Sequence, residues 1–133
     1  MRFVRVIAKE KKGLAWNDDV RLVVQCMIDQ DERLAPGEWF GYVTEGKSMF
    51  HPFKLRNRRT LCYGGEDNLE EPTTFGAKTI AKGEQFTIRN DAREPPEERF
   101  EATFEITDVT VIGAAASRTP SAIAWPSAPA SIR

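Results

Sequence analysis

The feature that most constrains the fold of this chain is a strict two-residue hydrophobic period near its C-terminal end. Between residues 100 and 107 apolar side chains alternate with polar ones, and the apolar members are Phe100, Ala102, Phe104 and Ile106. Phe86 and Ile88 alternate with polar neighbours in the same way. Because successive residues of a strand point to opposite faces, each run predicts a strand with one face in the core and one in water. Residues 82–112 are therefore predicted to form a β-hairpin with these apolar side chains turned inward.

The alternation is interrupted once, at Asp108. Val109 and Val111 resume it one residue out of phase. One extra residue in one of two paired strands produces this pattern, so the sequence predicts a β-bulge at this point.

The rest of the chain predicts several further short strands separated by Gly and Pro turns. Residues 2–8, 38–44, 49–53 and 59–63 are rich in β-branched or aromatic residues, and the proline in 49–53 predicts an edge strand. Gly41 indicates a bulge or a close approach of backbone. The acidic segment 66–75 is expected to be a surface loop. Residues 20–28 fit both a strand and a helix, with β-propensity favouring the strand.

These patterns predict a mainly β fold, a small antiparallel β-barrel or strongly bent sheet of about six strands, with at most one helix near residues 17–30. If residues 20–28 are helical, an α+β fold replaces it. The 133 residues are expected to form one domain over 1–112.

The composition changes abruptly after residue 112. Residues 113–133 are mainly Ala, Ser, Pro and Gly, which cannot form a core of their own. The composition is compatible with a disordered tail, and the alternative that we predict is an extended arm, which the apolar residues Ile123, Trp125 and Ile132 anchor on the domain or on a neighbouring subunit. The sequence therefore predicts a homo-oligomer.

The expected location is the cytoplasm. No apolar stretch approaches the roughly 20 residues of a membrane helix, and residues 1–8 do not resemble a secretory leader. Cys26 and Cys62 have no metal-binding spacing, so reduced thiols are expected, although a single disulfide between them is compatible with the sequence. A soluble protein without membrane association is predicted.

The most suggestive segment for function is residues 47–63, which contains five cationic side chains and no carboxylate. Cations neutralise phosphates and exposed aromatic rings stack on unpaired bases, so this mixture favours single-stranded nucleic acid or another anionic ligand. The net charge of −1 means that any such site must be local. The predicted ligand-binding residues are Lys54, Arg56, Arg58, Arg59, Phe53, Tyr63 and His51.

No catalytic or metal site is indicated by the sequence. His51 is the single histidine, and the glycine-rich phosphate-binding and nucleophile-elbow motifs are absent. No cofactor is predicted. Three interpretations remain, in this order: a non-enzymatic binding or interaction module, an anion or nucleic-acid binder acting through residues 47–63, and an enzyme with a pocket among aromatic residues of the 38–53 region.

Overall fold

The computed structural model describes residues 1–90, 95–98 and 100–114. This part of the chain forms eight β-strands and two single-turn 3-10 helices. The strands are β1 (Arg2–Lys12), β2 (Ala15–Ile28), β3 (Trp39–Glu45), β4 (Met49–Arg56), β5 (Thr60–Gly64), β6 (Leu69–Pro72), β7 (Gln85–Arg89) and β8 (Glu101–Ala114), and the 3-10 turns are Phe75–Ala77 and Pro96–Glu98.

The strands form one antiparallel sheet that curls almost completely into a barrel. Its order is β6-β5-β4-β3-β2-β1-β8-β7, so the first and last strands, β1 and β8, pair with each other and the sheet is open only between β6 and β7. An isolated bridge from Thr73 to Ile88 draws these two edges together. An eight-stranded barrel has an interior just wide enough to be filled by side chains or to hold one small ligand.

The predicted hairpin and bulge are confirmed. β7 pairs with β8, Phe104 and Ile106 are buried, and the register of β8 against β1 shifts between Ile106 and Asp108. One prediction in this region was wrong: Phe100 precedes β8 and is 58% exposed, because the alternating orientation of the strand begins only at Glu101.

The strand favoured for residues 20–28 is confirmed, and the helical alternative is wrong, as is the α+β fold that depends on it. The described residues contain no α-helix, and the whole of Ala15–Ile28 is the strand β2. Pairing with β1 along one edge and with β3 along the other outweighs the helical spacing of its valines, since both edges of the strand find hydrogen-bonding partners. The mainly β prediction holds, with eight strands instead of about six.

Two local expectations need correction. The segment 66–75 is not all surface loop, because Leu69–Pro72 forms β6 and pairs with β5. The strand that contains Pro52 is not an edge strand, since β4 pairs with both β3 and β5. Pro52 is tolerated because the pairing with β5 covers only Lys54–Arg56 and leaves the proline outside it.

One end of the barrel is filled and the other is not. The filled end contains fully buried aliphatic side chains, among them Val4, Ile28, Leu34 and Ile80, supplied by strands and by the loops that cover this end. Towards the middle, the ring of Phe86 packs against Phe75 at 5.0 Å and Phe104 at 5.7 Å. On the side of these rings that faces the unfilled end of the barrel, the surrounding residues line a cavity.

Cys26 and Cys62 are both free thiols. Cys26 is buried in the barrel interior, where desolvation raises its pKa to about 12. Cys62 pairs with Lys54 on the outer face of the wall, so the disulfide that the sequence allowed is not formed. Among the described residues, no helix is long and apolar enough to cross a bilayer. β8 extends to Ala114, and the predicted anchors Ile123, Trp125 and Ile132 lie outside the described residues.

Candidate functional site

A cavity of about 330 Å³ opens at the barrel end formed by the C-terminal ends of β1, β3, β5 and β7. Its size is at the lower end of the range for small-molecule sites, about 300–1,000 Å³. The lining is mainly apolar and comes from all eight strands; the apolar lining residues on strands are Val20, Val43, Leu69, Ile88, Ala102 and Phe104. Phe100 also lines the cavity, so its exposed ring is at the mouth.

Three carboxylates lie in this otherwise apolar lining, each in contact with a neighbouring polar group. Glu45 Oε1 lies 3.0 Å from His51 Nε2, and both side chains are partly exposed at the mouth. Tyr63 donates its hydroxyl hydrogen to Glu71 Oε1 at 3.0 Å.

Glu10 is the third carboxylate. Its side chain is 14% exposed, the lowest value among the carboxylates that form ion pairs in the described part of the chain. Its Oε1 accepts a hydrogen bond from Asn17 Nδ2 at 2.8 Å, and Lys12 Nζ lies 3.8 Å from Oε2. Lys12 itself is mostly in solvent, so it offsets only part of the negative charge.

The electrostatic character of the cavity is negative. None of the described lining residues is Lys or Arg, whereas three are glutamates. Burial raises the pKa of Tyr63, and the negative charges of Glu71 and Glu45 together with its hydrogen bond to Glu71 raise it further. The phenol therefore stays protonated and acts as a donor to Glu71.

The residues predicted for binding are distributed over three places. His51 and Tyr63 line the cavity. Tyr63 also contributes, with Phe53, Lys54 and Arg56, to a shallow depression of about 350 Å³ on the barrel wall, beside the point where the pairing of β4 with β5 ends. Arg58 and Arg59 lie at the opposite end of the barrel, in an open groove.

The cations of the wall depression are paired with carboxylates. Lys54 Nζ lies 3.4 Å from Glu38, and Arg56 Nη2 lies 3.1 Å from Glu70. Phe53 is buried in the core, with its ring 6.0 Å from that of Tyr63. The four cations predicted for binding thus comprise two that are already compensated and two, Arg58 and Arg59, for which the described residues provide no ion pair.

The aromatic residues of the 38–53 region do not surround one pocket. Trp39 packs against the core and donates its indole N–H to the Ala35 carbonyl, whereas Phe40 is 64% exposed. Tyr42 and Phe50 form a ring contact at 4.6 Å on the outer face. Alternation along β3 and β4 divides these rings between the two sides of the wall.

Sequence reasoning missed Glu10, Glu45 and Glu71 as members of a site. For Glu10 the signal was present: Val4, Val6 and Ala8 are fully buried, and Glu10 continues the same inward phase of β1. A charged residue in an inward position of a strand indicates a polar feature in the interior. Glu71 could not be found in this way, because its strand was taken for a loop.

No group of three or more potential metal ligands occurs in the described part of the chain. No family model, curated protein or solved structure matches this chain.

Proposed function

We propose that the protein is a non-enzymatic binding module that takes a small, positively charged molecule with an apolar body into the cavity. The observation that carries the proposal is the combination of apolar walls with three glutamates and no lining Lys or Arg among the described residues. An apolar body gains by leaving water, and a cation compensates the carboxylates at the mouth.

The polar groups of the cavity favour an ammonium group over a neutral or anionic one. Glu10 and Glu45 present carboxylate oxygens, which accept hydrogen bonds from a charged N–H. Such charge-assisted bonds are roughly twice as strong as neutral ones. An anion of the same shape would instead have to be desolvated beside like charges.

The proposal is tested with three probes that share an apolar body and differ in charge: phenethylamine, phenylethanol and phenylacetate. Thermal unfolding of the full chain is followed with each probe. A ligand at 100 times its Kd stabilises the folded state by about 2.7 kcal/mol. We expect the amine to raise Tm and the carboxylate to leave it unchanged.

Two matched substitutions locate the binding. Ala102→Phe places a ring inside the cavity, and we expect it to abolish the amine effect. Thr103→Phe is the control, because the neighbouring position of β8 points to the opposite face. An amine shift that survives Ala102→Phe, or a carboxylate shift equal to the amine shift, would overturn the proposal. Recovery of chemically changed amine would indicate an enzyme.

The location, the oligomeric state and the two other functional interpretations receive different degrees of support. A cytoplasmic location is proposed because both cysteines are free. The homo-oligomer remains a prediction, since the arm on which it rests lies outside the described residues. Binding of nucleic acid through residues 47–63 receives less support, because Lys54 and Arg56 are paired with carboxylates. For the interpretation as an enzyme, the cavity itself is the supporting feature.

A further inference from the structure

The barrel end opposite the acidic cavity carries an open groove of about 680 Å³ with the reverse charge. Three of its lining residues are arginines and none of the described lining residues is acidic; the arginines are Arg33, Arg58 and Arg59. They come from two separate loops, the one after β2 and the turn between β4 and β5. From this geometry we propose that the groove binds a small molecule through its phosphate groups.

Two of the three arginines are held in place by backbone carbonyls without being neutralised. Arg58 donates from Nη1 to the Leu34 carbonyl at 3.3 Å, and Arg33 donates from Nη2 to the Ala77 carbonyl at 3.1 Å. A guanidinium has five N–H donors, so each of these bonds leaves most of the donors of that side chain available. Within residues 1–90, 95–98 and 100–114, no carboxylate lies within ion-pair distance of the three guanidinium groups.

Asp29, an acidic residue of the loop that carries Arg33, is engaged by backbone. Asp29 Oδ1 accepts hydrogen bonds from the backbone N–H of Arg33 at 3.0 Å and of Asp31 at 2.8 Å. The bond from Arg33 is the main cause that lowers the pKa of Asp29. Asp29 does not line the groove, so its charge orders the loop that carries Arg33 without occupying the space between the arginines.

The turn that carries Arg58 is built at an energetic cost. Asn57 and Arg58 both have positive φ, +54° and +64°, and the backbone N–H of Arg59 bonds to the Arg56 carbonyl. Two-residue hairpin turns of this kind favour glycine at the second position, because a left-handed backbone is sterically unfavourable for a residue with a β-carbon. An arginine at this position is therefore unfavourable for the turn and needs another reason.

Gly76 brings the second wall of the groove against this turn. A β-carbon at position 76 would lie 2.1 Å from the Arg58 carbonyl oxygen, so a larger residue would push the two segments apart. The close contact keeps the groove in one shape. A preformed fork of arginines matches the bidentate geometry of phosphate, whereas a single lysine would provide only a point charge.

The test uses inorganic pyrophosphate as the probe, with calorimetry on the full chain at about 0.15 M salt, where the Debye length of ~8 Å screens diffuse attraction. We expect Arg33→Gln and Arg59→Gln each to weaken binding about tenfold or more, as loss of a charge-assisted hydrogen bond worth ~1.5–3 kcal/mol implies. Lys54→Gln and Arg56→Gln are the controls, because they remove the same charge from the outer wall and should change affinity less than twofold.

Arg58 is tested by Arg58→Gly, since glycine fits the positive φ and keeps the turn. We expect this variant to retain the melting temperature of the parent within a few degrees and to lose pyrophosphate affinity. Equal weakening by the wall and groove substitutions, unchanged affinity in Arg33→Gln and Arg59→Gln, or no binding to the parent chain overturns the inference. Citrate is a second probe: binding as tight as that of pyrophosphate would overturn the assignment to phosphate.

Discussion

At the scale of single residues, Gly41 shows most directly how the wall of this barrel is built. A β-carbon placed there would lie 2.2 Å from the Val23 carbonyl oxygen, 2.8 Å from the Phe53 ring and 2.9 Å from the Val24 Cα. Two of these neighbours are backbone atoms of the adjacent strand and cannot move independently of it. The close backbone approach predicted from the sequence is confirmed, and only glycine fits.

We therefore expect Gly41→Ala to reduce the free energy of unfolding by about 1–3 kcal/mol, the typical cost of overpacking. Gly113→Ala is the matched control, because the nearest atom to its β-carbon would be Phe3 Cβ at 3.9 Å, an ordinary contact. Urea unfolding of both variants measures the difference. If the two variants unfold at the same urea concentration, the backbone contact at Gly41 does not limit substitution.

At the scale of elements, the barrel is closed between β6 and β7 by threonine hydroxyls instead of by a regular ladder. The Thr73 hydroxyl donates to the Thr87 carbonyl at 2.7 Å and accepts from the Phe75 N–H at 3.2 Å. Thr74 completes the seam: its N–H donates to the Thr87 carbonyl, and its hydroxyl accepts from the Thr87 N–H at 2.9 Å. Side chains thus satisfy backbone groups that the short edge strands leave unpaired.

We expect Thr73→Val, which keeps the shape and removes the hydroxyl, to cost about 1–3 kcal/mol because the buried Phe75 N–H loses its partner. Hydrogen exchange locates the effect. The amides of β7 should exchange faster, while the amides of β1 and β2 should lose no more protection than the fall in global stability accounts for. Thr103→Val on the outer face of β8 is the control. A uniform loss of protection across all strands would contradict a local role for the seam.

At the scale of the whole molecule, the two ends of the barrel have opposite character. The glutamates lie around the cavity at one end, and the three arginines of the groove lie at the other, separated by the packed rings of Phe75, Phe86 and Phe104. The net charge of −1 conceals this separation, because charges of both signs cancel in the total. The two proposed sites are therefore separate, and we expect ligands of opposite charge to bind them without competing.

The pH dependence of stability is also a property of the whole fold, and Tyr63 is expected to contribute, together with the buried Cys26 thiol, to the loss of stability at alkaline pH. Its pKa in the folded protein is raised, whereas an unfolded tyrosine titrates near 10. The resulting stabilisation is complete below about pH 10 and is lost above it, at up to ~1.4 kcal/mol per pH unit, as the unfolded chain ionises and the folded one does not. We expect Tyr63→Phe to reduce this slope.

Urea unfolding at pH 7, 9 and 11 measures the effect. At pH 7 Tyr63→Phe should be less stable than the parent, because the hydrogen bond to Glu71 is missing. The difference between the two proteins should shrink at pH 11. If the free energies of unfolding of Tyr63→Phe and of the parent change in parallel from pH 7 to pH 11, then Tyr63 does not titrate differently in the folded and unfolded states.

The sequence alone determined the β class of the fold and most of its strands, because a period of two is a property of the local chain. The hairpin of β7 and β8, the bulge near Asp108 and the close approach at Gly41 could all be read from residue order. The ambiguity at residues 20–28 could not be resolved locally, since the same valines fit either period and only pairing with β1 and β3 makes the strand the better solution.

Only the tertiary structure decided which charges share a site. Arg33 joins Arg58 and Arg59, and Glu10 joins Glu45 and Glu71, through strand register and barrel closure that bring together residues distant along the chain. The basic segment seen in the sequence is divided between the wall and one barrel end, because its strand and its turn face different surroundings. Local patterns specify the orientation of a side chain, whereas closure of the sheet specifies its neighbours.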